Sequence, residues 1–185
     1  MIARCTACLA RPRAFARARA ACLYDDHSRD LILQFKHADR LDLAPLFASW
    51  IGRAAADLIA EADVVAPVPL HPGRLFRRRY NQSAEIARPL ARRYSLAYLP
   101  EALKRRKATE TQAGKSASGR RRNVAGAFEV PDRQKARIDG RRILLIDDVL
   151  TTGATAEACA KVLLKAGASS VDLATVARVR DAVEA

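Results

Sequence analysis

Residues 142–155 read Arg142-Ile143-Leu144-Leu145-Ile146-Asp147-Asp148-Val149-Leu150-Thr151-Thr152-Gly153-Ala154-Thr155. The uncharged run from Ile143 to Ile146 has the length and residue types of a strand buried on both faces. Beyond the loop, Ala158, Val162 and Leu163 share one face of a helix expected over Thr155 to Ala166, with Lys161 and Lys165 late in it and Gly167 ending it. Val171 to Ala177 alternates as a following strand. Strand, helix and strand at this spacing make a βαβ unit, with parallel strands and a right-handed crossover, so the fold class is α/β.

The same stretch carries an unusual chemistry. In open parallel sheets ligands bind at the carboxyl ends of strands, where Asp147 and Asp148 are expected. Thr151, Thr152, Gly153, Ala154 and Thr155 open the next helix, where free backbone N–H groups and the positive end of the helix dipole favour an anion. Carboxylates would repel that anion on contact. They are compatible with it only if they meet another part of the ligand, such as vicinal hydroxyls or a bound Mg²⁺. A ligand with a phosphate at one end and a diol or metal at the other fits, as in a ribose 5-phosphate. Acids beside a helix N-terminus can also be stabilising and inert.

Working outward, the chain has 185 residues and a net charge of +13. Its length suits one domain. From Arg74 to Arg142 there are 20 basic and 6 acidic residues, while the rest of the chain is nearly neutral. A stretch so basic is either a solvated surface or a field for a polyanion, whether a polyphosphate or nucleic acid. No uncharged apolar run approaches the length of a membrane span. The N-terminal arginines and cysteines are unlike a signal peptide, so a cytoplasmic protein with reduced thiols is expected.

Coarse patterning gives an extended segment over Ala14 to Tyr24 and a helix capped by Ser28 through LILQFKH. A second helix is expected over Asp42 to Glu61 and a short strand over Asp63 to Pro69. A third helix follows from Gln82 to Tyr94, with Pro89 inside it. From Lys104 to Asn123 no apolar period survives, which predicts a flexible basic loop. Gly114-Lys115-Ser116 ahead of RILLIDD imitates a nucleotide-triphosphatase loop. It lacks both the leading glycine, since Thr109 stands there, and a preceding strand.

The stretches PVPLHPGRLFRRRYNQSAEIA, ETQAGKSASGRRRNVAGAF and IDDVLTTGATAEACAKVLLKAGA occur in that order. IDDVLTTGAT resembles the phosphoribosyl-pyrophosphate (PRPP) motif of type I phosphoribosyltransferases, and the combination resembles the ComF family. The resemblance reaches back through CTACLARPRAFARARAACLYDDHSRDLILQFKHADR and so covers nearly the whole chain. It implies a central parallel sheet of about five strands flanked by helices, with a small N-terminal hood. Residues 1–24 would be a remnant of a zinc-finger and hood segment, and residues 25–185 a phosphoribosyltransferase-like domain with its flexible loop at about 104–123.

By that resemblance Asp147 and Asp148 contact the ribose hydroxyls of PRPP, with Mg²⁺ nearby, and Thr151 to Thr155 hold the 5-phosphate. The turn holding Leu70 and His71 forms a pyrophosphate loop, and Arg105 and Arg106 close over the ligand. The implied reaction is Mg²⁺-dependent transfer of a phosphoribosyl group to an unidentified acceptor. Glu110 and His71 are candidates to move a proton, though each reads more readily as a surface residue. A link to competence and DNA uptake is implied as well.

Cys5-x-x-Cys8 has zinc-knuckle spacing, but a structural zinc needs four ligands. Cys22 is a third candidate that also reads as a strand residue, and Cys159 lies on a helix core face. The resemblance to the ComF family implies a further CxxC pair upstream, lost here through either a late-assigned start or decay of the finger, so zinc is not expected in this chain. The alternative function is a non-catalytic accessory protein with a vestigial or regulatory PRPP site. Its basic middle region would bind single-stranded DNA or competence-machinery proteins, with Arg77, Arg78 and Arg79 solvated. Since only Tyr94, Tyr98 and Phe128 offer stacking platforms, DNA would be held mainly through its phosphates.

Overall fold

The computed structural model describes residues 12–37, 40–106 and 126–179. In chain order they form β1 (Ala18–Leu23), α1 (Asp26–His37), a 3₁₀ turn (Leu41–Leu43), α2 (Ala44–Ala54), α3 (Ala56–Glu61) and β2 (Val64–Pro67). Next come α4 (Pro72–Arg78), α5 (Gln82–Arg93), β3 (Ala97–Tyr98), β4 (Lys104–Arg105) and β5 (Phe128–Glu129). The chain closes with α6 (Asp132–Ile138), β6 (Arg142–Leu150), α7 (Ala154–Lys165) and β7 (Ser170–Arg178). Cys5, Cys8, Glu110 and most of the expected basic loop lie outside the described residues.

Five strands make one parallel sheet in the order β1-β7-β6-β2-β3. The middle strand, β6, shows why an unbroken apolar run was needed. Ile143 and Leu145 join a core with Cys159 and Leu163 of α7, while Leu144 and Ile146 join a core with Phe47, Ile51 and Leu90 of α2 and α5. Alternate residues thus face opposite helix layers and both faces are dry, which is the α/β architecture the sequence predicted. Among the described residues no helix is long and apolar enough to cross a membrane.

Several local expectations change. The segment assigned to a hood remnant contributes β1 to the main sheet, pairing in parallel with β7 from Ala18↔Leu173 to Leu23↔Arg178. Without it, the backbone of β7 would be an open edge. The ion pairs of Arg17 with Asp172 and Glu61, and of Arg19 with Asp57, hold β1 in place. Asp25, not Ser28, caps α1. Its Oδ1 accepts from Ser28 N at 3.0 Å and its N–H donates to Ser28 Oγ at 3.1 Å, a reciprocal capping box. The helix expected over Asp42 to Glu61 breaks at buried Ala55 (φ −116°, ψ 26°) into α2 and α3.

Two further elements replace expected loops. Pro72–Arg78 is helical, with Pro72 in its first turn and His71 Nδ1 accepting from Gly73 N at 3.2 Å. Lys104–Arg105 is a strand, paired antiparallel with Phe128–Glu129. Arg105 is only 5% exposed, its guanidinium 5.2 Å from the centre of the Phe128 ring. The start of the expected basic loop is therefore a packed ribbon.

Candidate ligand-binding site

The sheet order puts the switch of chain direction between β2 and β6. From β2 the chain crosses through α5 to β3 on one side, and from β6 through α7 to β7 on the other. Connections that diverge in this way leave a crevice at the carboxyl ends of the two strands. A cavity of about 350 Å³ lies there, lined by Lys36, Leu70, Arg78, Ser83, Arg105, Asp147, Asp148, Thr151, Gly153 and Thr155 among others.

The acids do not stand beyond a finished strand, as the sequence suggested. β6 continues through them to Leu150, paired on the β7 side at Asp147↔Thr175 and Leu150↔Arg178. On the β2 side the ladder ends with Pro67↔Ile146 and the Val68 N–H to the Ile146 carbonyl at 2.9 Å. The acids thus sit on backbone held from one side and open to the cleft on the other. Rigid strand backbone positions such groups more tightly than a loop would.

Each carboxylate is already engaged. Asp147 Oδ1 accepts the Ser83 hydroxyl at 3.0 Å and the Asp148 N–H at 2.9 Å. Asp148 Oδ1 accepts the Val149 N–H at 2.6 Å, and its Oδ2 lies 3.1 Å from Lys36 Nζ. Burial, then the charge of Asp148, pushes the Asp147 carboxyl up to about 7, against the pull of its hydrogen bonds and of Lys36.

Ser83 reaches Asp147 because Asn81 anchors the start of α5. The Asn81 side chain accepts from Ser83 N at 3.1 Å and donates to the Val68 carbonyl at 3.0 Å, tying the turn after β2 to the helix.

The anion loop follows directly. Gly153 adopts φ 74°, a left-handed conformation that a Cβ would strain, and Thr152 Oγ1 accepts from Ala154 N at 3.4 Å. α7 starts at Ala154, one residue earlier than expected. Thr151, Gly153, Ala154 and Thr155 line the same cavity as the acids.

Among the expected site residues, the structure gathers Asp147, Asp148, Thr151, Gly153, Ala154, Thr155, Leu70 and Arg105 around one space. Thr152 supports the loop from behind. His71 is outside the lining and caps α4, while Arg106 is exposed and ion-paired with Glu129 at 3.2 Å.

Arg78, expected to be solvated, instead lines the cavity. Its Nε is buried without a hydrogen-bond partner, and its Nη1 donates to Gln82 at 3.4 Å. Only Arg79 of that cluster is described as exposed, at a left-handed φ of 62°. Lys36, Arg78, Gln82 and Ser83 were missed as site residues. Ser83 had a readable signal, since Asn81-Gln82-Ser83 opens a helix directly after a strand and a turn.

The donors present also bear on magnesium. The two carboxylates are hard oxygen ligands, but among the described residues no three His, Cys, Asp or Glu side chains come together as a cage. One or two carboxylate oxygens suit an Mg²⁺ that arrives on ligand phosphates and keeps its waters.

This fold and cleft define a class, and the comparisons specify it. The sequence profile of the phosphoribosyl transferase domain family matches residues 80–185, a span that contains Ser83, the acids and the anion loop. DNA utilization protein YhgH of Escherichia coli K12 is 32% identical over 174 residues, covering 91% of this chain and 75% of that protein. Competence protein F of Haemophilus influenzae is 35% identical over 142 residues, covering 70% of this chain and 62% of that protein. Among solved structures, glutamine phosphoribosylpyrophosphate amidotransferase from B. subtilis is 22% identical with a TM-score of 0.46 over 74% of this chain, which spans 25% of that structure's length. The chain belongs to the ComF family of phosphoribosyltransferase-domain proteins.

Proposed function

We propose that the cleft binds PRPP with Mg²⁺ and transfers its phosphoribosyl group to an unidentified acceptor. The observation that carries this reading is the placement of two carboxylates and a helix-opening anion loop on consecutive segments facing one cavity. The loop backbone and the hydroxyls of Thr151 and Thr155 hold the 5-phosphate, and Asp147 and Asp148 accept the ribose hydroxyls. Arg78 and Arg105 face the diphosphate end. Magnesium, when bound, supplies charge neutralisation of the diphosphate, with Asp147 and Asp148 as the protein's nearest donors.

In the reaction the bond from the anomeric carbon to diphosphate breaks, and diphosphate leaves with the electron pair. The acceptor's lone pair forms the new bond and its proton is released. The protein contributes orientation, charge stabilisation around an oxocarbenium-like transition state, and exclusion of water.

Thermal unfolding with PRPP and Mg²⁺ tests this, since a ligand of the folded state raises the melting temperature. Asp147→Asn and Asp148→Asn should each reduce that rise while retaining the fold. Wild-type affinity in both variants would remove the assignment of the diol to the acids.

A second reading is an accessory role on single-stranded DNA. The names of the relatives and one surface favour it: Phe76 is 91% exposed on α4, within residues 64–84, which hold four arginines and no acid. An exposed ring on a basic stretch of chain suits stacking of a base. Of the platforms expected from sequence, Phe128 is buried, and Tyr94 and Tyr98 are partly buried against the core. Filter binding across a salt series decides it. Phe76→Ala should lower affinity for single-stranded DNA at every salt concentration, and no retention by the wild type at micromolar protein would eliminate the reading.

A further inference from the structure

Lys36 reaches the acid pair from α1, more than a hundred residues away in sequence, and its ion pair and backbone hydrogen bond both lead back to the cleft. Its Nζ is 3.1 Å from Asp148 Oδ2, with side-chain exposures of 20% and 17%. Asp148 donates its N–H to Asp147, Asp147 accepts the Ser83 hydroxyl, and neighbouring Gln82 donates Nε2 to the Lys36 carbonyl at 3.4 Å. Tyr80 donates its hydroxyl to the Phe35 carbonyl at 2.7 Å, fixing the same end of α1. A closed ring therefore runs from Lys36 through both aspartates and α5 back to the backbone of Lys36.

Two adjacent carboxylates facing a cavity repel each other and any phosphate that enters. A neighbouring cation offsets that repulsion, and a flexible lysine stem can move its charge by several ångströms, which a guanidinium held in a fork does not do as readily. A lysine placed only for stability would gain little from a pair that keeps partial contact with water. This one lines the cavity.

We propose that Lys36 is the resident cation of the site. With the cleft empty it neutralises Asp148, and when ligand binds it turns to a phosphate oxygen and frees Asp148 Oδ2 for a ribose hydroxyl. This rests on the phosphoribosyl reading above and adds a ligand-binding residue from the N-terminal part of the chain. It also makes a divalent ion helpful but not obligatory for the monophosphate.

Calorimetric titration with ribose 5-phosphate, which lacks the diphosphate, tests it in EDTA and again in Mg²⁺. The wild type should bind in EDTA with little change on adding Mg²⁺. Lys36→Gln should bind at least about tenfold more weakly in EDTA, the loss of one charge-assisted hydrogen bond, and recover most of that loss with Mg²⁺. Lys36→Arg should bind in EDTA with an affinity between those of wild type and Lys36→Gln, because it keeps the charge but moves it less readily. Equal affinity of Lys36→Gln and wild type in EDTA, or an equal weakening with and without Mg²⁺, overturns the assignment while leaving the site reading intact. No binding of ribose 5-phosphate by the wild type overturns both. Should Lys36→Gln fail to fold, Asp148→Asn is compared with Asp148→Asn/Lys36→Gln, which leaves no unpaired carboxylate at that position. The double variant must bind about tenfold more weakly in EDTA, and equal affinities count against Lys36.

Discussion

Arg17 and Arg78 belong to the same strongly basic chain and sit in opposite electrostatic situations. Arg17, just before β1, is gripped by acids on two elements: its Nη2 lies 2.6 Å from Asp172 Oδ2 on β7 and its Nη1 2.9 Å from Glu61 Oε1 at the end of α3. Hydrogen bonds that it donates to Asp172 and then Glu61 hold its guanidinium protonated more firmly than usual. Arg78, at the end of α4, meets no carboxylate among the described residues and turns into the cleft with its Nε buried and unbonded. A charge that folding satisfies internally reads as architecture. A charge that folding leaves unsatisfied beside a cavity calls for a ligand to complete it.

The contrast can be broken most directly at Arg17. Arg17→Gln should cost about 2 kcal/mol, because Asp172 is 8% exposed and would be left without its cation, a penalty reduced here by the partial exposure of Arg17. For a chain of this size that corresponds to a melting temperature lower by roughly 4–8 °C. Ribose 5-phosphate affinity should not change. A variant that melts with the wild type removes Arg17 from the architecture.

Arg78→Gln should do the reverse. Its stability should stay within about 0.5 kcal/mol of wild type, since no ion pair is lost. Inorganic diphosphate should bind about tenfold more weakly, measured by titration. A stability loss as large as that of Arg17→Gln would erase the distinction between the two arginines.

A third difference is in pH. Asp147 is raised from 3.8 to about 7, so it favours the folded state in its protonated form. That contribution is complete below the unfolded value near 3.8 and is lost as pH rises through about 7. Asp147→Asn removes the titration, so its melting temperature in EDTA should gain on the wild type between pH 5 and pH 8. Arg17→Gln should show no such drift, since arginine stays charged throughout. A difference between Asp147→Asn and wild type that is flat with pH would indicate that Asp147 is ionised in the fold at both ends.

Much of the site was legible because it is local. Ile143–Ile146, the acids and the loop opening α7 lie within one strand-to-helix junction, and periodicity, a glycine and three hydroxyls describe it without reference to the rest of the chain. The continuation of β6 through Asp147 and Asp148 was not legible. Charged residues look like a strand end, and the pairing that carries the strand onward comes from β7. Arg105 was misread for a related reason. A run of basic residues has no apolar period, so neither its pairing with Phe128 nor its packing on that ring leaves a trace in the pattern.

By itself the sequence determined the α/β class, the parallel core strands and the coexistence of an acid pair with an anion loop, since each depends on neighbours in the chain and on alternation along one strand. Only the tertiary structure decided that β1 joins the sheet edge, that Lys36 and Ser83 secure the aspartates, and that Arg78 faces the cleft while Arg17 does not. These depend on the strand order β1-β7-β6-β2-β3, which brings residues from α1, α4 and α5 to the end of β6. Which distant side chains converge is set by the packing of both helix layers on that sheet, and no local pattern in the chain encodes that packing.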